Sequence, residues 1–423
     1  MQRDIRMSWC GVILLMLISS TGFAEVVERR KDQFGRDFAY YLYPIVGEIP
    51  GLGKAAGLGA SVSNIGDGDT DFTGYYVRGD FKATGAALLD YHVIPQRLIF
   101  DVGYNDYLVA PVSYNRGIAS DPVDVIHPKV EGGYLLGQLT LTFDQRRYEM
   151  FVRMLSGRDR LLGVLDKNGQ AFANVDTSWK RGESVSLGGS LDLTDDRLDP
   201  REGVRFEFAS RLPNSYGGPD ASEYYVSDYN LTGYLPMREW DTLVFNVFHS
   251  HAHVTREGLT DYALLQQRYG LNCATAPDPT ACQSAEDKLL AGMLANSQHG
   301  TASALGGTQR LRSFDSGRFY AGQALSYGVE YRWNLTDERT PFNIYVAKGV
   351  RTGIQLAAFV ERGMVADQFS ELFKDGRNSY GIGARLVLSG VIIRFDLARG
   401  NEGAQSQLFI TYPWSMFSVD SPN

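Results

Sequence analysis

Leu325-Ser326-Tyr327-Gly328-Val329-Glu330-Tyr331-Arg332-Trp333-Asn334-Leu335 is the stretch that decides the fold. A strand turns successive side chains to opposite faces, so Leu325, Tyr327, Val329, Tyr331, Trp333 and Leu335 share one face, opposed by Ser326, Gly328, Glu330, Arg332 and Asn334. One face is apolar and aromatic; the other is charged or small. The same split recurs in Leu98, Phe100, Val102 and Tyr104 against Asp101 and Asn105, and in Val204, Phe206 and Phe208 against Arg205 and Glu207. It returns in Val391, Ile393, Phe395 and Leu397 against Arg394 and Asp396. About sixteen strand-like segments can be marked between residues 38 and 414, the even number that single-chain bacterial barrels require. Alternation alone also suits a soluble sandwich or propeller, with its apolar face turned inward.

Composition and loop lengths favour the membrane barrel. Residues 1–24 read as a cleaved export signal: Arg3 and Arg6, the apolar run Val12 to Ile18, then Thr21-Gly22-Phe23-Ala24. Removing its two arginines and one aspartate from totals of 41 and 49 leaves 39 basic against 48 acidic residues, a net charge of −9. An acidic exported chain is not expected to bind nucleic acid. No later stretch is apolar for long enough to cross a bilayer as a helix, yet the chain carries 46 Gly, 24 Tyr and 22 Phe. Residues 25–37 form a short charged periplasmic lead, 38–417 the barrel and 418–423 a tail. Long connections at 108–130, 158–183 and 254–324 fall on one side of the meander, where extracellular loops are expected. Short ones at 95–96, 144–146 and 236–239 fall on the other, and 336–352 is the exception, long where a short turn is expected. Cys273 and Cys282 are expected to close a short loop by a disulfide in an oxidising compartment. Leucines between Arg256 and Gln298 at helical spacing predict one or two surface helices there.

Before the quoted strand lies Gly306-Gly307-Thr308-Gln309-Arg310-Leu311-Arg312-Ser313-Phe314-Asp315-Ser316-Gly317-Arg318-Phe319. As a surface turn, its Gly and Asp residues would only reverse the chain. As a plug folded into the barrel, it would need a carboxylate for Arg312, because an unpaired buried guanidinium is costly. Glu330 and Glu361 lie on lumen-facing sides of neighbouring strands, within reach of a bidentate pairing to either.

These residues resemble a known family, the outer-membrane assembly barrels of the BamA/TamA type, also called bacterial surface antigens. The resemblance is strongest over Leu187 to Tyr412. Arg312-Ser313-Phe314 with Gly317-Arg318-Phe319 is similar to the family's Arg-Gly-Phe signature in the sixth extracellular loop, Ser313 standing where glycine is usual. Phe359-Val360-Glu361-Arg362-Gly363 resembles its Phe-x-Asp-x-Gly strand, with Glu361 in place of Asp. Glu330-x-Arg332 resembles an acid-basic pair on the preceding strand, and Asp196-Arg197 with Pro200 and Gly203 a periplasmic turn. The resemblance implies that Arg312 and Glu361 hold the inserted loop, with Phe314 and Phe319 packing it. Whether that latch only stabilises the barrel or also gates it stays open. Family members normally carry periplasmic repeat domains, which this sequence is expected to lack, leaving a place for a separate periplasmic partner.

A closed barrel pairs its first strand, around Phe38–Val46, with its last, around Gln405–Trp414. Pro44 and Pro413 fall there, and each removes a backbone donor. Either each proline ends its strand, or the two weaken a lateral seam whose edges receive client strands by β-augmentation. Trp414, Tyr412 and Leu408 resemble a terminal-strand assembly signal, or serve as interface anchors. His249, His251 and His253 would share one strand face, but no carboxylate or cysteine is placed beside them, so no metal is expected. Ser250 points away from its histidine neighbours, and no catalytic motif stands out, so no enzyme and no cofactor is expected. The expected function is insertion or translocation of unfolded or exported protein clients at the outer membrane, in contact with its lipid. A gated or passive pore and a structural barrel with partner-binding loops are the alternatives.

Overall fold

The computed structural model describes residues 26–416 apart from 35–36, 170, 172–175, 214–219, 239, 272, 276–277, 337–340, 389–390 and 415. The export signal and the tail lie outside the described residues. Seventeen strands form one antiparallel sheet. They are β1 (Ala39–Ile49), β2 (Gly53–Ile65), β3 (Thr70–Gly79), β4 (Lys82–Ile94), β5 (Leu98–Val109), β6 (Ile126–Phe143), β7 (Tyr148–Asp166), β8 (Lys180–Asp192) and β9 (Gly203–Arg211). There follow β10 (Glu223–Pro236), β11 (Thr242–Arg256), β12 (Gln323–Asn334), β13 (Pro341–Ile344), β14 (Ala347–Ala366), β15 (Arg377–Leu388), β16 (Val391–Gly400) and β17 (Gly403–Ile410). Each strand pairs with the next, except that β12 pairs directly with β14 from Asn334↔Gln355 to Gln323↔Ala366. Sixteen strands therefore build the wall, and the four-residue β13 stands aside from it.

The direction of the alternation separates this fold from a soluble sandwich. In β12, Tyr327, Val329 and Trp333 are exposed, whereas Ser326, Glu330, Arg332 and Asn334 are buried. In β16, Phe395 and Leu397 are exposed while Arg394 and Asp396 are buried. In these strands apolar side chains point outward and charges inward, the arrangement that lipid outside and a polar lumen inside demand, whereas the inward face of β2–β7 also carries apolar side chains such as Val77, Leu136 and Phe151. No helix among the described residues is long and apolar enough to cross a membrane.

The end of the connection between β11 and β12 folds into the lumen, where Leu305, Leu311, Phe314 and Phe319 are buried. The outer part of the connection carries α1 (Tyr262–Tyr269) and α2 (Pro279–His299). Asp261 caps α1 by accepting from Leu264 N, and Asp278 caps α2 by accepting from Thr280 N and Ala281 N, with Pro279 in the first turn. The Cys273–Cys282 disulfide ties the short turn after α1 to the first turn of α2. Beside the buried end of the connection lies a cavity of about 1000 Å³, lined by β1–β7 and by parts of β8–β10, β16 and β17.

Candidate functional site: the plugged lumen and its seam

The stretch from Gly306 to Phe319 is a plug inside the sheet, not a surface turn. Leu311, Phe314 and Phe319 are buried with Leu305, Phe248, Val365 and Met416, and the Phe314 and Phe319 rings meet edge to face with centroids 5.0 Å apart. Gly306, Gly307 and Gly317 have φ of 106°, 104° and 70°, and Leu311 has φ 52°. The glycines adopt this left-handed region without strain. Leu311 does so at a cost, next to the residue the plug is built around. Ser313 does not share that conformation, and its backbone N–H donates to Ser379 Oγ at 3.0 Å. Gly400 makes the fit possible, since a Cβ there would lie 2.3 Å from Ser313 Oγ.

Arg312 is completely buried and bridges three carboxylates, where the sequence suggested bidentate pairing to one. Its Nε donates to Glu361 Oε1 at 2.9 Å, and its Nη1 donates to Glu330 Oε2 at 2.8 Å and to Asp396 Oδ2 at 3.0 Å. Its backbone N–H donates to the second Glu361 oxygen at 2.9 Å. Nη2 has no hydrogen-bond acceptor among the described residues, and the guanidinium lies 3.4 Å from the centroid of the Phe359 ring. Arg332 pairs with Glu330 at 2.8 Å, while Arg385 reaches Glu330 at 3.1 Å and Asp396 at 2.6 Å. Arg394 lies 3.5 Å from Asp396. Glu330 and Asp396 thus keep other arginines, but Arg312 is the one arginine paired with Glu361 among the described residues.

Arg318 holds the rim of the plug. It chelates Glu402 through Nε and Nη2 at 2.8 Å each and donates to Ser120 Oγ and Ser120 O at 2.6 Å. Asp396, Arg385 and Glu402 were not singled out from sequence. Arg394-Phe395-Asp396 was noted only as an alternating strand, because nothing local shows which loop its charged face meets.

The seam departs from the expectation. Pro44 lies within β1, but Pro413 lies beyond β17, whose ladder ends at Ile410. After Thr411 (φ 98°) the chain leaves the wall and turns inward. Trp414 Nε1 donates to Glu361 Oε1 at 3.0 Å, and Asn230 donates to the Trp414 carbonyl at 2.8 Å. The Tyr412 hydroxyl lies 2.6 Å from Asp199 Oδ1 and 2.8 Å from Gln355 Oε1. Trp414 and Tyr412 are therefore lumen residues, not membrane-interface anchors. The reason is chemical: an indole N–H and a phenol find buried acceptors there that lipid would not supply. No ladder joins β1 to β17 among the described residues. The strands still lie side by side, and at Gly47 a Cβ would lie 2.9 Å from Leu408 Cβ.

The segment before β1 crosses the short-turn end. Arg29 donates to Thr194 O at 3.1 Å and Gln145 O at 3.0 Å, and Arg30 donates to Asp196 Oδ2 at 3.1 Å. Asp196 and Arg197, with Pro200, sit in the β8–β9 turn that receives this lead, and Arg197 N donates to Gln33 Oε1 at 2.9 Å. His249, His251 and His253 line the outer face of β11, with successive ring centroids 6.4 and 6.1 Å apart.

No protein-family model matches the chain, and no curated protein matches it. Among solved structures, CdiB from Escherichia coli superposes with a TM-score of 0.50 at 10% identity, over 88% of this chain and 61% of that one. CdiB from Acinetobacter baumannii gives 0.48 at 10% identity over 88% and 59%. BamA from Haemophilus ducreyi lacking POTRA domains 1-3 gives 0.47 at 12% over 88% and 68%. The chain spans about three-fifths of the length of the two CdiB chains. At such identity the likeness is one of fold: this sheet has the barrel architecture of E. coli CdiB.

Proposed function

We propose that the chain is an outer-membrane barrel that assists insertion or translocation of exported protein clients, acting through the seam between β1 and β17. The observation that carries this reading is the unladdered seam. β1 presents its edge from Tyr43 to Ile49 without a ladder partner among the described residues, beside a last strand whose end is drawn inward. Free strand edges pair with other strands. β17 is eight residues long, below the roughly 9–11 of a tilted membrane-spanning strand. A bilayer thinned beside it lowers the barrier to insertion. The long-loop end faces outward and the short-turn end the periplasm.

The plug keeps the barrel shut to solutes and gives the seam-side wall its shape, since Arg312 ties β12, β14 and β16 to one side chain. With the lead across one mouth and the plug in the lumen, an open pore is the weaker reading. Purified barrel in liposomes should speed the folding of a denatured small outer-membrane protein. Gly47→Cys with Leu408→Cys, oxidised to lock the seam, should abolish the effect. Full activity with the seam locked overturns the proposal, and conductance without folding assistance favours the pore.

A further inference from the structure

The connection between β12 and β14 is longer than a turn requires because it forms a hairpin. β13 pairs with the start of β14, Pro341 opposite Arg351 and Ile344 opposite Ala347. The other edge of that segment pairs with β1, Tyr40 opposite Lys348 and Tyr41 opposite Ala347, and Leu42 N donates to Val346 O at 3.0 Å. Gly349 marks the bend. Its φ is 70°, and a Cβ there would lie 2.4 Å from Phe38 O, so left-handed backbone and close approach both call for glycine. From Thr352 onward the same strand has left the hairpin and pairs with β15 in the wall. The hairpin thus passes below the ends of β15, β16 and β17 and reaches β1 directly.

Resting on the proposed function, we infer that this hairpin is a resident strand: it occupies the periplasmic end of the free edge of β1, and a client strand must displace it to pair along the whole of β1. The geometry matches an incoming strand in two respects. It runs antiparallel to β1, the sense in which the last strand of an even-numbered antiparallel barrel meets the first. Val346, whose carbonyl accepts from Leu42 N, is exposed like Leu42, and Ala347 lies opposite buried Tyr41, so at these two positions the segment follows the apolar-outward alternation of a membrane strand, with exposed Lys348 at its periplasmic end. Its hold is slight. Ala39, Tyr41 and Val350 make one small buried cluster, while Tyr345 at the hairpin tip is 97% exposed. The partner it mimics is an extended exported polypeptide, apolar at alternate positions, with small residues facing the lumen.

Tyr41→Cys with Ala347→Cys sets two thiols at opposed ladder positions, and oxidation locks the hairpin onto β1 without touching β17. The probe is a synthetic peptide of alternating aromatic and polar residues bearing a photo-crosslinker, added to the full chain in liposomes, with cross-links to β1 mapped by mass spectrometry. Wild-type protein under the same oxidant and reductant controls for the native disulfide. Capture should fall by about tenfold on oxidation, equivalent to about 1.4 kcal/mol of lost pairing, and return on reduction. Lys348→Pro, which removes a ladder donor without adding thiols, should raise it. Equal capture by locked and reduced protein overturns the inference alone, provided the Gly47→Cys/Leu408→Cys lock still blocks capture. No capture by the Lys348→Pro protein overturns both the inference and the function beneath it.

Discussion

Arg312→Ala is the perturbation whose consequences the structure defines most closely. Deleting one partner of a buried ion pair costs about 3–5 kcal/mol, because the remaining charge is stranded. Here the stranded charge is unevenly shared. Glu330 keeps Arg332 and Arg385, and Asp396 keeps Arg385 and Arg394, whereas Glu361 loses its one paired arginine among the described residues. Glu361 is left with the Trp414 indole N–H and the residue 312 backbone N–H as donors. Double-mutant cycles should therefore give a coupling of about 2–3 kcal/mol between Arg312 and Glu361. Coupling to Glu330 or Asp396 should stay below about 1 kcal/mol. The assay is reversible guanidinium unfolding in detergent micelles, followed by tryptophan fluorescence, on Arg312→Ala, each carboxylate-to-glutamine variant and the three doubles. Limited trypsin digestion at Arg318, buried in the intact plug, reports whether the loop has left the lumen. A loss under about 1 kcal/mol for Arg312→Ala, or equal coupling to all three carboxylates, refutes the reasoning.

Trp414→Phe keeps the ring but removes the donor to Glu361, and should cost about 1–3 kcal/mol in the same unfolding assay. Reducing Cys273–Cys282 removes a cross-link over nine residues and should loosen α1 and α2 to protease by about 2–3 kcal/mol, leaving barrel unfolding unchanged. Asp199, in the β8–β9 turn, is opposed by burial but held below the usual carboxylate range by Arg201, Tyr412, Arg30 and Gln355. Its stabilising contribution is complete above the unfolded pKa of about 4 and is lost as pH falls through the lower folded value. Release of the Arg29–Arg30 lead, read by proteolysis, is thus expected only under acid below about pH 4, and release between neutrality and pH 5 would contradict it.

Much of the site was legible. Arg312 could be set against Glu330 or Glu361 because a buried guanidinium demands a carboxylate and both glutamates sit at lumen-facing positions of neighbouring strands; the choice of Glu361 came from the family resemblance. The helices of the long connection followed from leucine spacing and the cysteines. Asp396 and Arg385 were not legible as members of the same network, because their meeting depends on the register of β14, β15 and β16 across the lumen. Pro413 and Trp414 were read as part of a closing strand because their alternation continues that of Leu408. Only the buried acceptors Glu361 and Asp199, supplied by distant segments, pull that segment inward. The stretch from 336 to 352 looked merely too long, since a two-pair ladder to β1 leaves no local signature.

What this sequence determined by itself is the period-two pattern, and with it a sheet with one apolar and one polar face. That follows from backbone geometry, which sends alternate side chains to opposite faces wherever a strand forms. Which face turns outward was settled by the structure. Only the tertiary structure decided how the sheet meets itself. Whether β1 takes its hydrogen bonds from β17 or from the β13–β14 hairpin depends on strand ends brought together by every intervening register. Strand edges are backbone, the same for every residue but proline, so the period-two pattern by itself does not say which edge finds which.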